Sequence, residues 1–441
     1  MRDLMIFGMM CLLVPLSLRN GFAAYLLWGW AGLAGINAYV FGFMQSFPFV
    51  MFFALVCLGL FVIGKDSEKQ AFQVNRTTLL YLLFGVQAVL SASFAYEGHP
   101  RNWEIATNIL KTILFCLLMP MLVTSRFRIH ALVLMIAIST GYHALIDGLK
   151  FLLSGGGHLA RGVAKFGDNN HFALVLVMAL PLLIYCYRYA ANKLVRMGFL
   201  AMIPLVILAV VATRSRGGLA CLMASGVWLV LTGRRKVAGL VGVILAATLV
   251  IQLAPAEWSE RMNTIGAAGE DSSFLGRVGA WRISSAIAIG NPLLGGGFHA
   301  VEVPQTWRNF RDAPSLLGFV NTLDLEGFQG GGRAAHSIYF ETMGDLGFVG
   351  FFIFMAILIN ALVTARTVAS MAKAAGPRLD WARDLAEMLT ISAIAFVTGG
   401  ALLSAAYFEL PYVLFMLLEV LKIHVRQIAR IESDKIPYAM A

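Results

Sequence analysis

The sequence predicts an all-α, polytopic integral membrane protein with one large loop outside the bilayer. Hydrophobic residues make up 59% of the 441 residues and charged residues only 13%, whereas soluble domains are about half apolar and about a quarter charged. Apolar runs of roughly 16–25 residues recur along the chain, which is the length that crosses a hydrocarbon core as a helix. Lys and Arg concentrate in every second polar link between these runs, as expected of a chain that weaves through a membrane.

The apolar runs set the number of predicted spans. They are residues 3–18, 21–43, 47–64, 77–96, 103–125, 128–153, 170–189, 195–213, 217–233, 236–254, 337–365, 385–406 and 410–428. The first run is short and contains Pro15, so we expect it not to cross fully. The prediction is about twelve transmembrane helices with both termini on the cytoplasmic side.

The basic links fix the orientation. The links that carry Lys and Arg, and are therefore predicted to be cytoplasmic, are 65–76, 126–128, 188–196, 234–236, 366–383 and the C-terminal tail. The remaining links then face outward, and the longest of them is residues 255–336. The sequence therefore divides into an N-terminal transmembrane bundle (1–254), an outward loop (255–336), and C-terminal transmembrane helices with a tail (337–441).

Composition excludes several other kinds of site. The net charge of +10 is accounted for by the cytoplasmic links, whose natural partners are anionic lipid headgroups, and no nucleic-acid-binding pattern is present. The five cysteines lie in or beside apolar runs, without the spacing of a zinc site or a disulfide framework. No acidic metal-binding motif is evident on the outward side. We therefore predict no metal and no other cofactor.

The outward link TRSRGG (213–218) carries two arginines, against the positive-inside pattern. One interpretation is that Arg214 and Arg216 reach up to lipid phosphates at a helix end. The other is that they bind a phosphorylated substrate. On one helix, side chains two residues apart point in nearly opposite directions. A bend at Gly217 and Gly218 is therefore predicted to let both arginines aim at one place.

The preceding outward link is GGGHLARGVAKFGDNNHF, residues 155–172. Arg161 and Lys165 lie four residues apart and share a face if that piece is helical. Cations beside a glycine-rich segment suit phosphate binding, because glycine backbones expose amide donors. A merely solvated loop is the alternative. We expect residues 168–170 to cap the next span rather than to do chemistry.

The long loop contains arginines but no lysine. Arginine binds phosphate through two parallel hydrogen bonds and keeps its charge, so this bias favours phosphate recognition. Residues 273–289 predict an amphipathic helix that ends at Gly290 and places Arg277 and Arg282 near headgroup level. The glycine segments 295–297 and 330–332 are predicted to be mobile elements around a site.

The loop returns to the membrane at His336, directly before an apolar run. A lone histidine is usually structural. Here the loop brings the imidazole back to the outer surface, at the level of TRSRGG, which favours a catalytic role. Glu341 and Asp345 follow one and two helical turns later and could orient a partner or complete a polar network.

These motifs together resemble the O-antigen ligase superfamily, the lipid A-core:surface polymer ligases of bacterial inner membranes. The chain is also similar to the O-glycosylation ligases associated with exosortase systems. The resemblance rests on TRSRGG, on LGRVGAWRISSAIAIGNPLLGGG and on AHSIYFETMGDLGFVGFF, in this order around the loop. It covers nearly the whole chain, because many spans and one large loop between late spans typify the family.

The resemblance implies a GT-C-like fold and a glycosyltransferase of the inner membrane whose active site faces the periplasm. Such enzymes move a glycan from undecaprenyl diphosphate to a sugar hydroxyl of lipid A-core, with inversion and without metal. The family's loop arginines bind the diphosphate and its loop-end histidine serves catalysis. These roles carry over to Arg214 and His336, and then to Arg161, Arg277 and Arg282. Lys165 and Arg216 are added on their position alone.

Two other functions stay open at the level of sequence. An O-antigen polymerase or a protein O-oligosaccharyltransferase would use similar parts with another acceptor. A transporter without chemistry is the third interpretation. Transporters more often have paired half-motifs and broken helices in each half of the chain. The sequence shows no such pattern, so we rank the transporter last.

Overall fold

The structure is a computed structural model that describes residues 2–64, 66, 69–96, 98–162, 166–233, 236–253, 272–320 and 331–435. Within these residues the chain is helical and contains no strand. The helices are α1 (Arg2–Ser17), α2 (Gly21–Ala34), α3 (Phe49–Ile63), α4 (Arg76–Ser93), α5 (Asn102–Leu122), α6 (Arg126–Leu153), α7 (Asn169–Tyr189), α8 (Lys193–Ala212), α9 (Arg216–Thr232), α10 (Lys236–Leu253), α11 (Ser272–Gly290), α12 (Pro304–Phe310), α13 (Ile338–Ala374), α14 (Asp380–Gly400) and α15 (Glu409–Lys435).

The protein is a multi-pass membrane protein. Among the described residues, five helices are long and apolar enough to cross a membrane, and they are α5, α6, α7, α8 and α13. Helices α2, α3 and α9 and most of α10 are apolar but shorter. Every apolar run of the sequence overlaps one of these helices or α1, α4, α14 or α15. The all-helical fold is thus confirmed, whereas twelve crossings, the orientation and the outward loop stay predictions.

Helix α11 confirms the predicted amphipathic helix to within a residue at each end. Its apolar side chains, among them Ile283 and Ile287, are buried against the protein. Trp281 stacks on Phe340 at a ring-centroid distance of 5.2 Å, and its indole Nε1–H donates to the carbonyl of Ala335 at 2.7 Å. Helix α11 is therefore fixed against the first turns of α13, directly beside His336.

Helix α13 is interrupted at Gly347, whose backbone has φ 67° and ψ −173°. The interruption leaves carbonyl groups without helical donors, and the amides of the glycine segment 295–297 supply them. Gly296 N–H donates to the carbonyl of Gly344 at 2.9 Å, and Gly297 N–H donates to that of Asp345 at 3.0 Å. The predicted mobility of residues 295–297 is therefore wrong, because these buried amides complete the hydrogen bonding of α13.

Polar side chains of α4 bind the same break from the other side. Gln87 Nε2 donates to the carbonyl of Leu346 at 2.9 Å and Ser91 Oγ to that of Asp345 at 2.6 Å. Irregular backbone inside a membrane protein is stable only where protein groups satisfy it in this way. The expectation of no broken helix fails at this one position, and α13 shows no counterpart among the other described helices.

Candidate functional site

The arginines of TRSRGG lie at the tight turn between α8 and α9. Helix α8 ends at Ala212, and Arg214 adopts the left-handed conformation with φ 53°. Ser215 then caps α9, because its hydroxyl accepts a hydrogen bond from Gly218 N–H at 2.9 Å. Serine is a favoured residue at this capping position. The chain therefore reverses direction at Arg214 itself.

The predicted bend at Gly217 and Gly218 is wrong. Both glycines lie in the first turn of α9, and a Cβ on Gly218 would collide with Ala173 of α7. Gly218 is needed for close packing of two helices and not for the turn. Arg214 nevertheless leaves the helical path before Arg216 begins α9, so the two residues do not share one helix. Arg214 is half-buried and Arg216 is exposed.

The beginning of α7 holds this turn in place. Asn169 Nδ2 donates to the carbonyl of Thr213 at 2.7 Å, and the Ser215 hydroxyl donates to Asn170 Oδ1 at 2.7 Å. Asp168 caps α7 by accepting from His171 N–H at 2.8 Å, as predicted for this residue. Asn169 and Asn170 do more than cap, because they position the residues on both sides of Arg214.

The link before α7 also lies against the turn. Ala160 N–H donates to the carbonyl of Ala212 at 2.9 Å, which brings the exposed residue Arg161 next to the end of α8. Residues 158–162 are not helical, so the condition for a helical pairing of Arg161 with Lys165 is not met there. Lys165 lies outside the described residues.

His336 lies two residues before α13 and adopts a left-handed backbone conformation with φ 45°. Its backbone N–H donates to Ser404 Oγ at 2.9 Å. Within the part of the chain that the structure describes, the buried Nδ1 of the ring has no hydrogen-bond partner. Burial of the ring and the positive charge of Arg277 lower the pKa of His336 below its ordinary value, against the opposing influence of nearby carboxylates.

Asp168 relates the turn at Arg214 to His336. Its carboxylate is one of the groups that act electrostatically on His336, and it is adjacent in sequence to the asparagines that hold the Arg214 turn. The beginning of α7 therefore binds the predicted phosphate-binding turn and lies within electrostatic range of the predicted base. From the sequence alone, the proximity of these motifs could be inferred only from the membrane surface at which each was predicted to lie.

Arg277 and Arg282 of α11 point to different places. Arg277 lies close enough to His336 to act on its pKa. Arg282 Nη1 instead donates to the carbonyl of Val320 at 3.4 Å, on the side of α11 where Ser285 Oγ accepts from Leu316 N–H. Among the described contacts, Arg277 belongs to the neighbourhood of His336 and Arg282 supports the segment around residues 315–320.

The backbone of the site is strained. Among the described residues, the non-glycine residues with positive φ are Arg214, His299 and His336. Such conformations cost of order 1–3 kcal/mol each and cluster at functional sites, where surrounding contacts hold them. Two of these three residues are the ones predicted for catalysis. The third, His299, was not singled out by the sequence.

His299 forms an ion pair with Glu302, with Nδ1 and Oε1 2.6 Å apart. Burial opposes the charged imidazole, but the contact with Glu302 and nearby buried carboxyl groups outweigh it and raise the pKa of His299 to about 9. The ring of His99 stacks on that of His299 at 5.3 Å. The spacing H-x-x-E at residues 299–302, one residue after the glycine run 295–297, is the sequence signal that could have indicated this pair.

Glu341 and Asp345 are buried and fasten the link between α14 and α15. Glu341 Oε2 accepts from Ala406 N–H at 3.0 Å, and Asp345 Oδ2 accepts from the Tyr407 hydroxyl at 3.0 Å. The same link contributes Ser404, the partner of His336. The two carboxyl groups thus complete a polar network that positions the backbone around the histidine.

This fold and site define a multi-pass membrane protein with arginines and a strained histidine gathered where its helices end. Residues 200–355 match a family model described as O-antigen ligase, so the chain carries a domain of the O-antigen ligase superfamily, as its motifs indicated. Residues 1–191 match a family of unknown function (DUF5935). No curated protein matches the chain in a sequence comparison. The ligase model spans Arg214, Arg277, Arg282 and His336.

Proposed function

We propose that this protein is an inverting glycosyltransferase that moves a glycan from undecaprenyl diphosphate to a sugar hydroxyl of lipid A-core. The match to the O-antigen ligase family indicates the ligase/polymerase type of reaction. The observation that carries the proposal is the position of residues 168–170 at the beginning of α7, where the two asparagines hold the residues on both sides of Arg214 and the Asp168 carboxylate acts electrostatically on His336. This arrangement supports a site in which Arg214 would bind the leaving group and His336 would activate the acceptor.

The arginines would hold the diphosphate. Negative charge grows on this leaving group as the bond from the anomeric carbon to the phosphate oxygen breaks. Cations fixed beside it therefore stabilise the transition state more than the ground state. Arg214 has the best-defined position, since its turn is held on both sides. Arg161 and Arg216 lie beside this turn, and Lys165, Arg277 and Arg282 complete the proposed binding set.

An apolar cavity supports the proposal that the donor carries a lipid chain. It has a volume of about 610 Å³ and lies between α7, α8, α9 and α10. Its wall includes Leu219, three residues after Arg216, so the cavity begins within one helical turn of the arginine turn. A polyprenyl chain in this cavity would keep its diphosphate at the arginines while the hydrocarbon stays out of water.

His336 would act as the general base. The lowered pKa keeps the imidazole neutral at neutral pH, which is the form that accepts a proton. The acceptor hydroxyl transfers its proton to the ring as its oxygen bonds to the anomeric carbon, and undecaprenyl diphosphate leaves from the opposite face. The reaction balances without metal, because arginine charge neutralises the leaving group. The proposed site faces the periplasm, where both lipid-linked substrates expose their sugars.

The acceptor is the open part of the proposal. An O-antigen polymerase or a protein O-oligosaccharyltransferase would use the same donor chemistry, with a sugar of a second lipid-linked glycan or a protein hydroxyl as acceptor. The single break in α13 lacks a paired counterpart among the described helices, which keeps a transporter less favoured.

Purified protein incubated with a lipid-linked glycan and each acceptor class separately tests the proposal. The expected result is transfer to lipid A-core with release of undecaprenyl diphosphate. Transfer only to a lipid-linked glycan or a protein would replace the acceptor and keep the chemistry. Movement of the intact donor across vesicle membranes, with no new glycosidic bond, would overturn the proposal.

A further inference from the structure

Three side chains outside the proposed transfer chemistry converge between two links. His99, His299 and Glu302 each offer a ligand atom, and these atoms lie within 4.8 Å of one another. His99 comes from the link between α4 and α5, whereas His299 and Glu302 follow α11. All three are partly buried. His99 is distant in sequence from the other two residues, and they meet because the fold brings the two links together.

The backbone around the cluster is held by hydrogen bonds between the same two links. Tyr96 N–H donates to the carbonyl of Gly296 at 3.0 Å, and Phe298 N–H donates to Asn102 Oδ1 at 2.9 Å. A Cβ on Gly297 would collide with Ala95, so the two chains are in direct contact. The cluster is therefore built on a rigid frame and does not depend on long exposed side chains meeting by chance.

We infer that His99, His299 and Glu302 form a binding site for a zinc ion that fastens the α4–α5 link to the segment after α11. Two imidazole nitrogens and one carboxylate oxygen are the protein ligands of those zinc sites that keep the fourth tetrahedral position for water. The site lies outside the proposed transfer reaction, and the inference does not depend on that reaction.

The cluster gathers three ligand atoms and is more than a simple pair. Nδ1 of His299 lies 2.6 Å from the Glu302 carboxylate, as in a direct ion pair. An ion pair also needs no third member. The His99 ring nevertheless stacks on that of His299 at an interplanar angle of 29°, and thereby places a further nitrogen beside the two ligand atoms.

The neighbouring positive charge does not occupy the site. Arg101 follows His99 by two residues, but its guanidinium forms an exposed ion pair with Glu104 at 3.2 Å.

The left-handed backbone conformation of His299 has a function in this arrangement. It begins the short turn Ala300–Glu302, and this turn aligns His299 with Glu302.

Zinc content and affinity test the inference in full-length protein purified in detergent. The protein is stripped with chelator, incubated with Zn²⁺, freed of unbound metal and analysed by inductively coupled plasma mass spectrometry. Dissociation constants come from competition with a chromophoric chelator. We expect one tightly bound zinc per chain. Loss of an outer-shell partner of a metal ligand costs about 10- to 100-fold in affinity, and His99→Ala and Glu302→Gln, which remove ligands, should weaken binding by more than this.

His158→Ala is the matched control, since His158 pairs with Asp147 at 2.9 Å, away from the cluster. Zinc should raise the thermal unfolding midpoint of the parent and of this control but not of the two cluster variants. Co²⁺ substitution should give the absorption of a tetrahedral site in the parent and in His158→Ala, but not in His99→Ala or Glu302→Gln. Failure of the parent to bind zinc, or equal affinity in the parent and both cluster variants, would overturn the inference.

Discussion

Arg277 of α11 lies close enough to His336 for its positive charge to add to burial of the ring and lower the pKa of the imidazole. The two residues come from different parts of the chain, and the stacking of Trp281 on Phe340 fixes one helix against the other. A base whose pKa is lowered stays neutral at more acidic pH. The relationship therefore sets the acidic limit of the proposed reaction.

The first prediction concerns this acidic limit. The transfer rate should fall as pH decreases through the pKa of His336, which lies below its ordinary value of 6.5. Arg277→Gln removes the positive charge, so the pKa rises and the acidic limb should move to higher pH. Rate–pH profiles of kcat/KM for the donor measure the shift. Arg308→Gln is the matched control, because Arg308 is an exposed residue of α12 whose guanidinium donates to Gln305. An unchanged limb in Arg277→Gln would contradict the assignment.

The second prediction concerns His336 itself. His336→Ala should abolish transfer while donor affinity remains close to that of the parent, because the base does not hold the diphosphate. Single-turnover transfer and equilibrium binding of the lipid-linked donor separate the two effects. Near-normal transfer by a correctly folded His336→Ala protein would exclude the imidazole as the base.

The third prediction concerns the planar guanidinium group of Arg214, whose N–H groups form a fork that binds phosphate. Arg214→Ala should reduce the transfer rate by roughly 30- to 1,000-fold, or about 2–4 kcal/mol, through loss of charge-assisted hydrogen bonds to phosphate. Arg214→Lys keeps the charge but loses the planar fork, so it should stay clearly impaired. Arg308→Ala, an exposed change on α12, is the control. If both Arg214 variants transferred at the parent rate, the arginines would only anchor a helix end to lipid phosphates.

The fourth prediction concerns divalent metal in the transfer reaction. Transfer should continue in EDTA, because arginine charge replaces a metal ion at the leaving group. Loss of the proposed zinc should instead appear as a lower thermal midpoint. Rates measured in EDTA and after addition of Mg²⁺ or Mn²⁺ check this. Activity that vanishes in EDTA and returns with Mg²⁺ or Mn²⁺ would require a metal-dependent mechanism.

The fifth prediction concerns topology. A cysteine at Asp312, whose side chain is exposed, should react with a membrane-impermeant thiol reagent from the periplasmic side, and one at Arg430 should not. The exposed native Cys11 is first replaced by serine, whereas the other four cysteines are buried. Labelling of position 430 from outside would reverse the orientation.

Most helices could be predicted because apolar length is a property of consecutive residues. The predicted helix 273–289 differs by one residue at each end from the observed α11. The turn at Arg214 could not be placed, because glycines were the only bend signal in TRSRGG. The asparagines that stabilise the left-handed arginine come from another helix, and no local pattern reveals such a contact.

The site was predicted in part for the same reason. His336 stood out by its place at the end of the loop, whereas His299 and His99 acquire a partner only when distant links meet. The break in α13 also has no helix-breaking proline. Gly347 can adopt its positive φ, but the donors that make the break stable lie in α4 and after α11.

The break at Gly347 has a consequence for biogenesis. Its hydrogen-bond donors, Gln87, Ser91, Gly296 and Gly297, all precede the carbonyl groups of residues 344–346 that they bind. During synthesis from the N-terminus, every one of these partners has therefore left the ribosome before the interrupted helix emerges. Because exposed backbone carbonyls are costly in lipid, this order lets α13 dock onto a waiting set of donors as it enters the bilayer.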